Sequence, residues 1–539
     1  GGVFMRLIPC PENVVFSDGG YVFGKKSGVF STSDRARKAF DDFIGKFCGY
    51  PPCDGNDILF KSDGTDDNSE EYSLEITPSG ISVDAKSERG LFYGVQTLKQ
   101  IIAVRMDDKT GEAVLPSLKI IDKPRFSYRG FMFDCVRHFF PVETVKKYID
   151  AMAILKLNVF HWHLTDDQGW RVEIDGYPEL ITTGSKRRET MRDKTPHGGY
   201  YTKDDVREIV NYASDRFIAV VPEFDIPGHT RAAVASYPEL GCRGEKFEVS
   251  TKFGIHGEIL CAGKDASYKF VRDVLDCIAG EFPSPYVHIG GDEAVKHEWY
   301  ACENCQNKMR ELGLKNEEEL QAYFTEQAIN HLKTLGKTAI CWNESANSGK
   351  LENSAVLQFW ADGKKNENVV REVKAGRKII VSKFNPYYLD YPYAMHPLKA
   401  VYAFEPVFEE IKEYPDNVLG VESPIWTEWV GDEKTLEYRV FPRLIAVAET
   451  AWSNAANKNY QAFVSALPVA DEIINCETGI NVTPASECNA ENPFVKAKQM
   501  FCFGIKMLDF ETINRARKNN KEMKKMRSLR KEEGKEDKR

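Results

Sequence analysis

The chain has 539 residues, 42% hydrophobic, 12% aromatic and 28% charged, with a formal net charge of −9. That length allows two or three domains around at least one large core, and the mild acidity excludes a body built for non-specific nucleic-acid binding. No stretch reaches the roughly 20 apolar residues that a membrane-spanning helix needs, so no membrane role is expected.

The first residues, "GGVFMRLIPCPENVV", contain no long apolar segment and meet Pro11 early, so no signal peptide is visible. The 13 cysteines are odd in number and follow no framework spacing, which favours a reducing, cytoplasmic compartment. A secreted protein whose leader had been removed would read the same way. Residues 1–123 are expected to form an α+β domain. "SLEITPSGISVDA" alternates Leu74, Ile76 and Ile81, Val83, Ala85 across Pro78-Ser79-Gly80, a pair of half-buried strands. "GLFYGVQTLKQII" then sets Leu91, Phe92, Val95, Leu98, Ile101 and Ile102 on one helical face to cover them.

From 124 to 475 the rhythm changes to apolar, strand-like runs near 130, 158, 218, 286, 338, 355, 378 and 418, mostly separated by helical patterns. Val145, Tyr148, Ile149, Met152 and Leu155 make one such helix, and Leu320, Phe324, Ile329, Leu332 and Leu335 another. Eight strands with intervening helices predict an α/β fold, a (β/α)8 TIM barrel preceded by the small α+β domain. A doubly wound open sheet would show a Gly-rich loop after its first strand, and "CVRHFFP" is not one. "FVSALPVADEII" would close the last helix. Residues 476–539 form a C-terminal extension whose polar, basic end reads as a charged helix or a disordered tail, with docking as the alternative to plain solvation.

Such a barrel carries its chemistry where the strands end. The eight ends read Arg137-His138, Asp166-Asp167, Glu223 to His229, Asp292-Glu293, Trp342, Trp360, Tyr388 with Asp390, and Trp426 with Glu428. Any single tryptophan there would be ordinary core, but acids, an arginine, a histidine and aromatics on one rim form a binding site. Tryptophan walls among carboxylates suit a sugar, whose ring faces are apolar and whose hydroxyls need polar partners. A phosphate ligand would call for more cations or a glycine cradle.

"VRHFFP" (136–141), "HWHLTDDQGWR" (161–171), "PEFDIPGHT" (222–230), "HIGGDE" (288–293) and "WTEW" (426–429) resemble glycoside hydrolase family 20, the β-N-acetylhexosaminidases, over roughly residues 1–475. The resemblance implies a (β/α)8 barrel behind an α+β domain and retaining hydrolysis assisted by the substrate's own 2-acetamido group, an exception to the two-carboxylate scheme. It implies that Asp292, ionised, steers the acetamido N–H, and that Glu293 is the general acid and base, its pKa raised by Asp292. Gly290 and Gly291 would remove bulk where the sugar nears the backbone. Arg137 and Glu428 would hold the 3- and 4-hydroxyls, while Asp166 and His229, supported by Glu223, would tune Glu293. Trp342, Trp360 and Trp426 would wall the pocket, Tyr388 would donate to the acetamido oxygen, and Asp390 would meet the 4- or 6-hydroxyl. Tyr391 stands where relatives that accept 6-sulfated sugars have arginine, which favours neutral sugars.

The expected substrate is an oligosaccharide or glycoconjugate with terminal β-linked GlcNAc or GalNAc, with no cofactor and no metal; a homodimer stays open. A lacto-N-biosidase using the same machinery is the alternative reading. The D-x-E spacing of chitinases is absent, and a sugar-binding protein without catalysis would be expected to lack Glu293. His161-Trp162-His163 has the H-x-H spacing of a zinc amidohydrolase, but strands five and six end in Trp, so both histidines read as hydrogen-bonding groups inside the barrel. Cys302-Glu303-Asn304-Cys305 reads as two free thiols, and pairing of Cys242 with Cys261 is left open. Asn343-Glu344-Ser345 and Asn481-Val482-Thr483 match the glycosylation sequon, a triplet that often arises by chance.

Overall fold

The computed structural model describes residues 6–107, 109–361, 366–489 and 493–536. The first domain is a mixed eight-stranded sheet in which Tyr72–Thr77 and Gly80–Ala85 pair antiparallel across the turn at Pro78. The expected helix runs Glu88–Arg105, its N-terminus capped by Ser87, whose hydroxyl accepts from Gly90 N–H at 2.9 Å. It is buried nearly all round, because it touches more than its own sheet. Phe92 meets Phe217 edge-on at 5.4 Å and Tyr93 meets Trp452 at 5.1 Å, both across the domain boundary. Two ion pairs lock the same interface: Arg129 with Glu70 at 2.7 Å, and the fully buried Lys156 with Asp122 at 3.2 Å.

The second domain is a closed, all-parallel barrel of eight strands. They are β1 (Tyr128–Asp134), β2 (Val159–His163), β3 (Ala219–Glu223), β4 (Tyr286–His288), β5 (Thr338–Trp342), β6 (Val356–Phe359), β7 (Ile379–Val381) and β8 (Val418–Ile425). All eight expected strands are present, and β8 closes on β1. Side chains alternate in and out along each strand, so every second residue fills the interior. The lower interior is apolar, with Val159, Val221, Ile340, Val356 and Ile380 packed around the Tyr128 ring. One step higher, two residues along β2, it becomes polar. His161 pairs with Glu422 at 2.8 Å and Glu223 at 3.1 Å, and Glu422 also accepts from Tyr128 Oη at 2.7 Å. A further step up, His163 pairs with Glu223 and with Asp166. Both histidines of the H-x-H are thus hydrogen-bonded to carboxylates in the barrel interior.

A helix at Tyr460–Thr478 packs against the helices of both domains, running past residue 475. The basic end of the chain is a helix, Phe510–Glu536, that lies on the barrel's own loops. Arg515 donates to the carbonyls of Phe253 and Ile255, and Arg530 pairs with Glu317 at 2.6 Å.

Candidate active site

Asp134, the last residue of β1, sets the first turn. One carboxylate oxygen accepts the N–H groups of Val136 (2.8 Å) and Arg137 (3.1 Å), and the other accepts Thr427 N–H at 2.9 Å, fastening β1 to the end of β8. This turn aims Arg137 across the barrel mouth. Its guanidinium pairs with Asp166 at 2.6 Å and Asp134 at 3.2 Å, lies 3.8 Å from Glu428, and sits 4.7 Å from the centre of the Trp426 ring. Burial opposes the charge of Arg137, but Asp166, Glu428 and Asp134 outweigh it and hold the group firmly cationic.

Asp166 passes that contact on to His229, whose Nδ1 is 3.2 Å from Asp166 and 3.5 Å from Asp167. The opposite nitrogen of His229 faces the acid pair, 3.6 Å from Glu293 and 3.9 Å from Asp292. Burial again works against the charge, and the Asp166 carboxylate overcomes it, so His229 is an imidazolium at neutral pH.

Asp292 and Glu293 follow β4 through a left-handed turn, with φ of +60° at Gly290, +107° at Gly291 and +48° at Glu293. Glycine is required at the first two positions for a reason other than the expected one. A Cβ on Gly290 would lie 1.7 Å from Asp225 Oδ1, and one on Gly291 1.9 Å from Ser345 Oγ. The missing side chains make room for neighbouring protein groups, not for a ligand. Glu293 tolerates its positive φ because its N–H donates to Glu344 Oε2 at 2.9 Å. Glu344 and Asn343 belong to the sequon triplet, yet Asn343 is buried and accepts Trp360 N–H at 3.1 Å, so this asparagine is a structural group.

The two acids differ in environment. The side chain of Asp292 is 12% exposed and that of Glu293 32%. Burial raises the Asp292 pKa to about 7, against the pull of His229 and with the repulsion of Glu293 adding to it. Without a ligand, Asp292 is therefore drawn towards its neutral form, whereas the expectation of an ionised Asp292 concerns the state in which it accepts the acetamido N–H. Asp225, which accepts Gly291 N–H at 2.9 Å, is pushed well above the carboxylate range by burial and by Asp292.

These residues open on a cavity of about 180 Å³. Arg137, Asp166, His229, Asp292, Glu293, Trp360, Tyr388, Asp390, Trp426 and Glu428 line it, as the strand-end pattern predicts. Trp342 does not. It lies beneath, its indole N–H donating to Glu223 at 2.9 Å and its ring 6.1 Å from that of Trp426, so it supports the floor instead of forming a wall. Two lining residues escaped the sequence reading, Asp225 and Phe384, whereas Tyr391, singled out there, also lines the cavity. Asp225 stands inside a quoted motif, but nothing in its spacing separates it from its polar neighbours. Burial lifts Asp390 to about 8, with Glu428 adding to it, and pushes Tyr388 well above 10, keeping its hydroxyl a donor. Among the described residues, Asp292 Oδ1 and Asp390 Oδ1 are buried acceptors without a protein hydrogen bond. Buried polar atoms in that state call for a ligand or water as partner.

The site therefore combines a fixed cation, an imidazolium, two unsatisfied carboxyl oxygens, the more exposed Glu293 beside them and aromatic walls. Residues 126–455 match the catalytic domain of glycosyl hydrolase family 20, and residues 5–123 match domain 2 of that family. The chain is 38% identical over 494 residues to a beta-hexosaminidase of Porphyromonas gingivalis, covering 85% of this chain and 62% of that relative's length. It is 35% identical to a beta-hexosaminidase of Akkermansia muciniphila, over 73% of this chain and 82% of the other. Among solved structures it resembles the exo beta-N-acetylglucosaminidase of Vibrio harveyi bound to N-acetylglucosamine, with a TM-score of 0.80 and 30% identity over 89% of this chain and 78% of that one. A mutant beta-hexosaminidase of Streptomyces plicatus holding the product GlcNAc gives a TM-score of 0.79 and 32% identity, over 90% and 98%.

Proposed function

This chain belongs to glycosyl hydrolase family 20, and from that premise we propose that it is an exo-acting β-N-acetylhexosaminidase that cleaves with assistance from its substrate. The observation that carries the reading is the buried, unsatisfied Oδ1 of Asp292 beside a more exposed Glu293 at one cavity. Asp292 accepts the acetamido N–H and, once ionised, offsets the positive charge that develops as the amide oxygen bonds to C1. Glu293 gives its proton to the departing glycosidic oxygen as the C1–O bond breaks, leaving a cyclic oxazolinium. It then takes a proton from the water that attacks C1, so the ring opens, the acetamido group is restored and the product keeps the β configuration. Holding the nucleophile within the substrate removes the need for a carboxylate beneath the ring. Trp360, Tyr388 and Trp426 wall the acetamido arm and ring face. Arg137, Glu428 and Asp390 supply the polar partners for the hydroxyls of the terminal sugar.

The test is hydrolysis of 4-nitrophenyl β-GlcNAc, β-GalNAc and β-lacto-N-bioside followed by proton NMR. Release of a single N-acetylhexosamine, β anomer first, is expected. An α anomer first would sink the retaining mechanism, and activity confined to the lacto-N-bioside would replace exo-hexosaminidase by disaccharide release.

A further inference from the structure

Four of the 13 cysteines meet at one point, although the chain separates Cys242 from Cys305 by 63 residues. The Sγ–Sγ separations are 3.5 Å for Cys261–Cys305, 3.7 Å for Cys261–Cys302 and 3.9 Å for Cys242–Cys305, and all four sulfurs lie within 4.8 Å of one another. A disulfide requires about 2.05 Å, and even the shortest of these separations, 3.5 Å, is far longer. A tetrahedral zinc with Zn–S of about 2.3 Å sets its sulfurs about 3.8 Å apart. The three distances bracket that edge.

The surrounding chain is shaped to hold the four together. Cys302 is the N-cap of the helix Glu303–Leu312 and Cys305 is in its first turn, so the C-x-x-C presents both sulfurs to one side. Cys242 and Cys261 are brought side by side by an antiparallel bridge between Gly241 and Leu260, tightened by Cys261 N–H donating to Leu240 O at 2.8 Å. Gly263 packs on the peptide before Cys305 so closely that a Cβ there would fall 2.2 Å from the Asn304 carbonyl carbon. Cys261, Cys302 and Cys305 are buried and Cys242 is half-buried. Lys264 stands beside the cluster and donates to the carbonyls of Gly241 (2.6 Å) and Glu239 (3.0 Å).

We propose that Cys242, Cys261, Cys302 and Cys305 form a structural zinc site. Four thiolates leave no open coordination position, so the ion is a fastener and not a catalyst. The first pair lies in the loop after β3, which carries Asp225 and His229, and the second in the loop after β4, which carries Asp292 and Glu293. Leu260 N–H donates to Pro227 O at 3.1 Å, and the Trp299 indole donates to Leu260 O at 2.8 Å, so the cluster is tied to the approach of both loops to the cavity. The C-x-x-C reading as two free thiols, and the expectation of a chain without metal, do not account for this convergence.

The full chain, expressed with zinc in the medium and desalted, should carry about one zinc per molecule by elemental analysis. After denaturation in EDTA it should titrate all 13 thiols. A count of nine, the 13 less two pairs, would mean disulfides and overturn the proposal. Thirteen thiols with no zinc, or iron in its place, would overturn it as well. Cys302→Ser/Cys305→Ser should lose at least tenfold in bound zinc, while Cys53→Ser in the first domain keeps it. Should the double variant not fold, mercurial titration of the native wild-type chain decides: zinc release in step with cysteine modification supports the site, and modification without release refutes it. Stripping the metal should also raise hydrogen exchange across residues 224–305, and exchange unchanged there would argue against a fastening role.

Discussion

Nε2 of His229 lies 3.6 Å from Oε2 of Glu293, and the other nitrogen of the same ring is 3.2 Å from Asp166. An imidazolium thus stands between a buried carboxylate and Glu293, the acid proposed to move the proton, with Arg137 completing the row at 2.6 Å from Asp166. The arrangement fixes the position of Glu293 from behind while leaving its other face on the cavity. It also supplies positive charge where two adjacent acids would otherwise repel.

Glu293→Gln keeps this geometry and removes the transferable proton. Turnover should fall about 10²- to 10⁴-fold, the ordinary worth of a positioned general acid. The loss should be smaller for a 4-nitrophenyl glycoside, whose leaving group needs little protonation, than for a disaccharide. Equal losses on both, measured as kcat, would remove Glu293 from the role of acid.

Asp292 predicts a pH signature in both rate and stability. Accepting the acetamido N–H requires the ionised form, so kcat/KM should rise with pH through about 7 in the free enzyme. The folded pKa lies above the ordinary 3.8, so the native state binds this proton more tightly than the unfolded chain does. Stability attributable to the group is therefore greatest below about 4 and is lost as pH rises towards 7. About 3 pKa units correspond to a ceiling on the order of 4 kcal/mol. Asp292→Asn should abolish most activity on acetamido sugars, lose the limb near 7, and melt higher than the wild type at pH 8 but not at pH 4. A variant that melts lower at pH 8 would contradict the assignment.

Much of this was legible before any coordinates, for physical reasons that also explain the gaps. Parallel strands buried on both faces write themselves as short apolar runs, and the rule that chemistry sits at their C-terminal ends then points to Arg137, Asp166, His229, Asp292 and Glu428 without further information. Depth is not written that way. Trp342 and Trp426 both end strands, yet only the second reaches the cavity, because Glu223 draws the indole of the first downward. Asp225 and Glu344 gain their roles from a turn made by Gly290 and Gly291, a contact between separate loops. The cysteine cluster was hidden for the same reason, since Cys261 and Cys302 are 41 residues apart and only the barrel brings their loops together.

Arg137 is the charge on which the floor of the site balances, facing Asp134, Asp166 and Glu428. Arg137→Ala would take from Asp134, Asp166 and Glu428 the cation they share, and removing one partner of a buried ionic set costs about 3–5 kcal/mol. Thermal unfolding should show that loss together with a rise in KM. Arg137→Lys should restore part of the stability but little of the substrate affinity, because a point charge cannot span Asp134 and Asp166 as a planar fork does. Full recovery of KM by lysine would show that only charge matters there.

Gly291 and Ser345 offer a test of the turn that needs no ligand. A Cβ on Gly291 would sit 1.9 Å from Ser345 Oγ but 3.3 Å from Ser345 Cβ, so most of the clash belongs to the hydroxyl. Gly291→Ala should destabilise the fold by two separate effects, this clash and the strain of φ near +107° on a residue with a side chain. Ser345→Ala on its own should cost little. Combining the two should recover the clash and leave the strain, giving a favourable coupling of about 1 kcal/mol or more in a double-mutant cycle read by urea unfolding. Simple additivity would mean that Ser345 moves aside freely, and that the turn presenting Asp292 and Glu293 is looser than these contacts imply.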